Sequence, residues 1–337
     1  MKRNYSVDVL RLIGAFAVIV IHIGFTRAPW EAQIRLLARF AVPFFFMVSG
    51  YFFEKKWKTE GDKAFVSTIL NLLSIYLVAN LIYLPLNLGT AIMNGKEITL
   101  NLSNLLLGTW MHLWFMGAMI VGYLFMWVIF THRLQKLLPY ISIAFFALML
   151  LSEAYSFLGF RYNMELARTF LSIPLLYLGM QLSKYEVEKR GNLIFFSLLA
   201  VLGLAIHMGE TLWLYFYHKV PIGKLQFYIS TTFMATSFLC LSLKLEMPKH
   251  NWMSEWGRKY SLLIYLYHPL VLMWSPQYYA VIPKNMVFLK WMGPIWAFAL
   301  ILIPILLIER YWPRGYAFLN GKLSEYETKK RIIQNES

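Results

Sequence analysis

Long runs of mostly apolar residues recur ten times along this chain, at 7–25, 36–53, 64–86, 112–130, 137–152, 169–182, 193–209, 225–243, 261–275 and 292–309. Short polar connectors separate them. A helix that crosses the hydrocarbon core of a bilayer needs about 20 such residues. Lipid offers no partner to a backbone N–H or C=O, so each spanning run is expected to be a helix that pairs its own backbone. The short alternating strands of a membrane barrel are missing from the pattern. The pattern predicts an all-α fold, a polytopic integral membrane helix bundle of ten transmembrane helices.

Charge orients the bundle. With the N-terminus inside and ten crossings, 21 of the 32 lysines and arginines fall in cytoplasmic segments, 10 fall in outer ones, and Arg11 lies in the first span. Basic residues concentrate in loops that stay cytoplasmic, so both termini are expected in the cytoplasm. Lys2 and Arg3 ahead of the apolar stretch Val7–Phe25 resemble the start of a signal peptide. Asp8 and Arg11 interrupt that stretch and no small-residue cleavage site follows, so it reads as a retained span. No repeat or Pro/Gly-rich linker divides the chain. Residues 1–319 are expected to form one transmembrane domain and 320–337, ending KKRIIQNES, a charged cytoplasmic tail.

Composition agrees. Of 337 residues 59% are hydrophobic and 15% charged, with mean hydropathy +0.53. Soluble domains carry about 25% charged residues. The net charge of +15 is explained by cytoplasmic loops rather than nucleic-acid binding. Cys240 is the one cysteine, so neither an internal disulfide nor a cysteine metal site is available. Neither H-E-x-x-H, G-x-G-x-x-G nor a Walker motif occurs, and neither a metal nor a permanently bound cofactor is expected.

Ionisable residues inside spans are costly and mark partners or cavities. The first span holds Asp8, Arg11 and His22. Arg11 and His22 are eleven residues apart, which returns them to one helix face about 16 Å apart along the axis. Asp8, three residues before Arg11, can pair with it. A plainer reading has Arg11 snorkelling to the headgroups and His22 making an interfacial hydrogen bond. The second span reads RFAVPFFFMVSGYFF from Arg39, with Pro43 expected to kink it and Ser49-Gly50 a small polar spot that equally suits helix packing. The fourth opens with His112 between Trp110 and Trp114, fitting either an aromatic belt or a pocket mouth. The ninth carries His268-Pro269, where a break or extended residue is expected. His207, His218 and His250 read as solvated or interfacial, and Glu153 or Glu165 as a partner for a histidine.

These pieces, in order, resemble the membrane acyltransferase-3 family from Tyr5 to about Arg310: Arg11-x10-His22, RFAVPFFFMVSGYFF, HLWFMGAMI at 112–120, ARTFLSIPLLYLGM at 167–180 and YSLLIYLYHPLVL at 260–272. The resemblance departs where the basic stretch after the second span, often Arg-rich in that family, is Lys55, Lys56, Lys58 and Lys63; lysine keeps the charge and loses the bidentate phosphate fork.

The resemblance implies an acyltransferase of groups other than amino-acyl groups, in the plasma membrane of a bacterium. It would carry acetyl from cytoplasmic acetyl-CoA (acyl-CoA), its co-substrate, to a hydroxyl. The implied acceptor is a surface glycan, a lipid-linked glycan or a small extracytoplasmic molecule. Arg11 and His22 are its implied essential pair. Histidine can take the hydroxyl proton as general base, which suits His22, while Arg11, oriented by Asp8, could hold a CoA phosphate or pantetheine carbonyl. Ser49, His112, Trp114, Arg168 and His268 are candidates for shaping the acceptor side, Ser49 also as a nucleophile. The runs RFAVPFFFMVSGYF, HLWF and IYLYHP are also similar to the membrane part of vancomycin-resistance serine racemases. That similarity implies transport of a small polar solute such as serine. The residues beyond Tyr311 are too few for a racemase domain, which weighs against it.

Overall fold

The computed structural model describes residues 3–25, 28, 30–93, 95, 108–160, 162–222, 225–249, 251–273, 280–282 and 286–328. Among the described residues there are helices and turns and no strand. The helices are α1 (Tyr5–Ile23), α2 (Glu31–Leu37), α3 (Ala41–Glu60), α4 (Lys63–Met93), α5 (Trp114–Thr131), α6 (Leu138–Ser152), α7 (Met164–Lys184), α8 (Leu193–His218), α9 (Ile229–Lys244), α10 (Trp252–Leu272), α11 (Val287–Trp291), α12 (Gly293–Tyr311) and α13 (Pro313–Leu319). Each of the ten apolar runs coincides with a helix. Seven helical stretches are long and apolar enough to cross a membrane: Tyr5–Ile23, Glu31–Glu60, Lys63–Met93, Met111–Thr131, Gln135–Ser152, Leu193–His218 and Gly293–Tyr311. The other three have a physical reason to read as more polar. α9 has 16 residues rich in Ser and Thr, α7 carries Glu165 and Arg168, and α10 carries Glu255, Arg258 and Lys259.

Local signals set the ends. Asn4, Asn163, Asn192 and Asn251 each cap a helix, their side chains accepting from backbone N–H groups of the first turn. α1 stops at Ile23, short of the predicted 25, because Gly24 takes φ +63. α4 and α8 run past their predicted ends to Met93 and His218. Pro43 does not kink a helix interior. It lies in the first turn of α3, where its missing N–H costs nothing, and the irregularity is a 3-10 turn, Ala38–Phe40, just before it. No break occurs at His268 either: α10 runs continuously through Pro269. His207 is fully buried, held by Ser230 Oγ at 2.8 Å and facing the Leu36 carbonyl at 3.2 Å, rather than solvated. His250, Arg27, Lys96, Arg161, Lys224, Lys284 and residues 329–337 of the expected tail lie outside the described residues.

The most extensive helix pairings are α1 with α10 and α3 with α7. Both depend on glycine. A Cβ on Gly257 would fall 1.7 Å from the Asp8 carbonyl oxygen. α3 and α7 exchange the same device, Gly50 against the Leu176 carbonyl and Gly179 against the Met47 carbonyl, at 2.1 and 2.0 Å. Between apolar helices in lipid, small residues permit the close contact that dispersion requires. Four buried hydroxyls are satisfied within their own helices: Thr169, Ser172, Ser237 and Ser242 each donate to a carbonyl three or four residues back. Leu70, Leu77 and Leu81 of α4 stand 60% or more exposed on one stripe, suited to lipid.

Gly257→Ala and Gly179→Ala are each expected to destabilise the detergent-solubilised protein by about 1–3 kcal/mol. Gly209→Ala, in α8 with nothing near its Cβ, serves as the control and should not destabilise. Equal melting temperatures for Gly257→Ala and Gly209→Ala would refute the close approach of α1 and α10.

Candidate active site

Pro269 has no N–H, so the carbonyl four residues back, Tyr265, loses its helical donor. His268 supplies the replacement: its Nδ1 donates to the Tyr265 carbonyl at 2.6 Å. This bond assigns the tautomer and leaves His268 Nε2 buried with no partner among the described residues. The next carbonyl, Leu266, accepts from Tyr83 Oη at 2.8 Å and from His112 Nε2 at 2.7 Å. In return Tyr265 Oη donates to the His112 carbonyl at 2.5 Å. These bonds clamp the 3-10 turn Met111–Leu113 to α10 and leave His112 Nδ1 buried and unpartnered among the described residues. His22, near the end of α1, completes a cluster. Its ring lies 5.2 Å from that of His268, which lies 5.6 Å from that of His112.

The cluster borders a cavity of about 230 Å³ at the end of the bundle away from Tyr5. His22, Arg39, His112, Trp114, Arg168 and Tyr265 line it, with apolar walls from Val18, Val42 and Leu171. His22 keeps its ring open to this space, whereas His112 and His268 are almost wholly enclosed. Arg39, in the 3-10 turn before α3, is 7% exposed. Glu153 lies behind the cavity wall. It accepts from the Gln226 N–H at 2.9 Å and stands 3.9 Å from Arg168. Burial raises the Glu153 carboxyl above its ordinary pKa, against the pull of the Gln226 N–H, Arg168 and Arg39. Neither carboxylate proposed as a histidine partner plays that part here, since Glu165 is exposed at the start of α7.

A second cavity, also about 230 Å³, lies nearer the N-terminal end and is lined by Arg11, Phe45, Phe115, Arg258, Ser261 and Tyr265. Asp8, 3% exposed, bridges Arg11 at 3.0 Å and Arg3 at 2.9 Å. Arg3 in turn meets Glu255, which holds Arg258 at 2.9 Å. Arg11 also lies 5.0 Å from the Phe52 ring centre. Tyr265 belongs to both cavities and packs against Phe115 with ring centres 5.0 Å apart, so a thin aromatic partition divides them.

The predicted residues therefore divide. His22, His112, Trp114 and Arg168 face the cavity away from the N-terminus, His268 braces it, and Arg11 with Asp8 belongs to the other. Ser49 faces neither, because its hydroxyl is shared with Tyr123 Oη at 2.7 Å, on the flank where Gly50 meets α7. Lys55 is taken up by Glu188 at 2.8 Å and Lys56 by Ser67 at 2.8 Å. Arg39, Arg258 and Tyr265 were not singled out. Arg39 carried the same signal as Arg11, a guanidinium inside a predicted span. Tyr265 carried none, being one of many aromatic residues.

A family profile described as an acyltransferase domain matches residues 4–309. Among characterised proteins, the chain is similar to an amino-acid racemase of Enterococcus faecalis, 32% identical over 136 residues, which is 37% of this chain and 19% of that protein. It is likewise similar to a serine/alanine racemase of Enterococcus gallinarum, 32% identical over 143 residues, 39% of this chain and 20% of that protein. The match thus spans about a fifth of the length of these relatives. No solved structure matches.

Removing one partner of a buried ion pair costs about 3–5 kcal/mol, and Arg11, partly open to its cavity, should feel somewhat less. Asp8→Ala is expected to lower stability by about 2 kcal/mol, and Asp8→Ala/Arg11→Leu to recover part of it. Thermal melts in detergent read both, and a double variant no more stable than Asp8→Ala would contradict the pairing.

Proposed function

This chain belongs to the acyltransferase-domain family, and on that premise we propose that it transfers an acetyl group from cytoplasmic acetyl-CoA to a hydroxyl on the opposite side of a bacterial cell membrane. The acceptor is a surface glycan, a lipid-linked glycan or a small hydroxyl compound. The observation that carries this reading is the shared wall. The cavity with Arg11 and the cavity with His22 meet at Tyr265, an arrangement suited to a donor and an acceptor arriving from opposite faces.

In this reading both termini are cytoplasmic, and the Arg11 cavity receives CoA. Arg11 and Arg258 offer their guanidinium groups to its phosphates or pantetheine carbonyls. Asp8 holds Arg11 in place. The acceptor enters beside His22. Its hydroxyl oxygen attacks the thioester carbon while the proton passes to His22; the carbon–sulfur bond then breaks, and the imidazolium returns the proton to the departing thiolate. His112 and His268, each fixed by a backbone carbonyl, hold the wall against which His22 works.

A second reading has one supporting observation. The racemase relatives are named for amino acids, and two cavities divided by one partition would also suit passage of a small solute such as serine. The same preparation separates the two. Protein in liposomes is supplied with labelled acetyl-CoA and a panel of hydroxyl acceptors, and CoA release is followed. General-base catalysis contributes about 10²–10⁴-fold, so His22→Ala is expected to lose at least about 100-fold in CoA release. Arg11→Ala should weaken CoA binding, which His22→Ala leaves intact. Serine uptake without CoA release from any acceptor would overturn the acyl-transfer reading.

A further inference from the structure

Around the cavity beside His22, guanidinium groups outnumber carboxylates among the described residues. Arg39 and Arg168 both line it, and no carboxylate does so among the described residues. Glu153, behind the wall, stands 3.9 Å from Arg168 and offsets part of the charge of the two arginines. Arg168 directs Nη2 at the Met164 sulfur, 2.9 Å away, a weak acceptor, and its Nε is buried without a partner among the described residues. The nearby Arg35 is matched by Glu31 at 2.8 Å. Two guanidinium groups held at the edge of a low-dielectric cavity make a field that attracts an anion, and a planar fork suits an oxyanion.

We infer that Arg168 and Arg39 hold an anionic oxygen group of the acceptor, a carboxylate or a phosphate, so that its hydroxyl comes to rest against His22. The hydroxyl half of this statement rests on the acyl-transfer reading; the anion site itself does not. The substrate class is thereby narrowed from hydroxyl compounds to acidic ones, such as uronic acids or sugar phosphates. The walls formed by Trp114, Val18 and Leu171 suit the apolar face of a sugar ring.

The test uses the full chain in liposomes with acetyl-CoA and three acceptors that share one ring and differ at C6: D-glucose, D-glucuronate and D-glucose 6-phosphate. An acidic sugar is expected to exceed glucose in kcat/KM by at least about tenfold, the value of one charge-assisted hydrogen bond. The order of glucuronate and glucose 6-phosphate tells carboxylate from phosphate. Arg168→Gln should erase the preference mainly through KM, and Arg168→Lys, which keeps the charge, should retain part of it and shows that the fold tolerates change there. Turnover of all three sugars within twofold, or a preference that survives Arg39→Gln/Arg168→Gln, overturns the anion site while leaving acyl transfer standing. If no sugar yields CoA, equilibrium binding of labelled glucuronate and glucose 6-phosphate decides: binding abolished by Arg168→Gln keeps the anion site independently of the reaction, and no binding of either overturns the site.

Discussion

A helix carbonyl without its amide is a debt that hydrocarbon cannot settle. Pro269 creates such a carbonyl on Tyr265, in the middle of a buried helix, and the arrangement around the candidate site follows from how it is satisfied. His268 turns its Nδ1 to that oxygen, which sets the tautomer and leaves the other nitrogen buried and without a partner among the described residues. The adjoining Leu266 carbonyl draws in Tyr83 and His112, and Tyr265 closes the loop by donating to the His112 backbone. Two helices, α4 and α10, and a 3-10 turn are thereby held in one register by main-chain acceptors.

That fixed frame permits two electrostatic settings only a helix length apart. At one end, acidic residues interleave with arginines: Arg3, Asp8, Arg11, Glu255 and Arg258 form a chain of paired charges around a cavity mouth. At the other end, guanidinium groups face the cavity and carboxylates stand behind it. The first setting tolerates water and a mobile ligand; the second keeps its charge for whatever enters. Gly257, by admitting the Asp8 backbone, brings α1 close enough to α10 for His22 and His268 to share one wall.

Much of this was legible in the sequence. Each apolar run coincides with helix, since lipid leaves a spanning backbone few other ways to pair its polar groups, and seven helical stretches among the described residues are long and apolar enough to span. Asp8, Arg11, His22, His112 and His268 stood out as polar atoms in apolar surroundings. The misses have physical causes. His207 read as interfacial because loop proximity was judged on too short a helix, whereas α8 continues to His218 and buries it. His268 was expected at a break because the preference before proline was weighed without the side chain that replaces the lost bond. Ser49 looked reactive as a lone hydroxyl, and its partner, Tyr123, lies 74 residues away where no local pattern could reveal it. Tyr265 could not be picked out among 21 tyrosines, since its position between two cavities is a property of packing alone.

The thinness of the partition has a consequence for the cell. A protein hollowed from both sides endangers the proton gradient across its membrane, because water threading the two hollows would short-circuit it. Tyr265, backed by Phe115 and Phe45 and pinned through its hydroxyl, is the septum that prevents this. The two hollows are thus kept apart by one tyrosine and the two phenylalanines packed behind it.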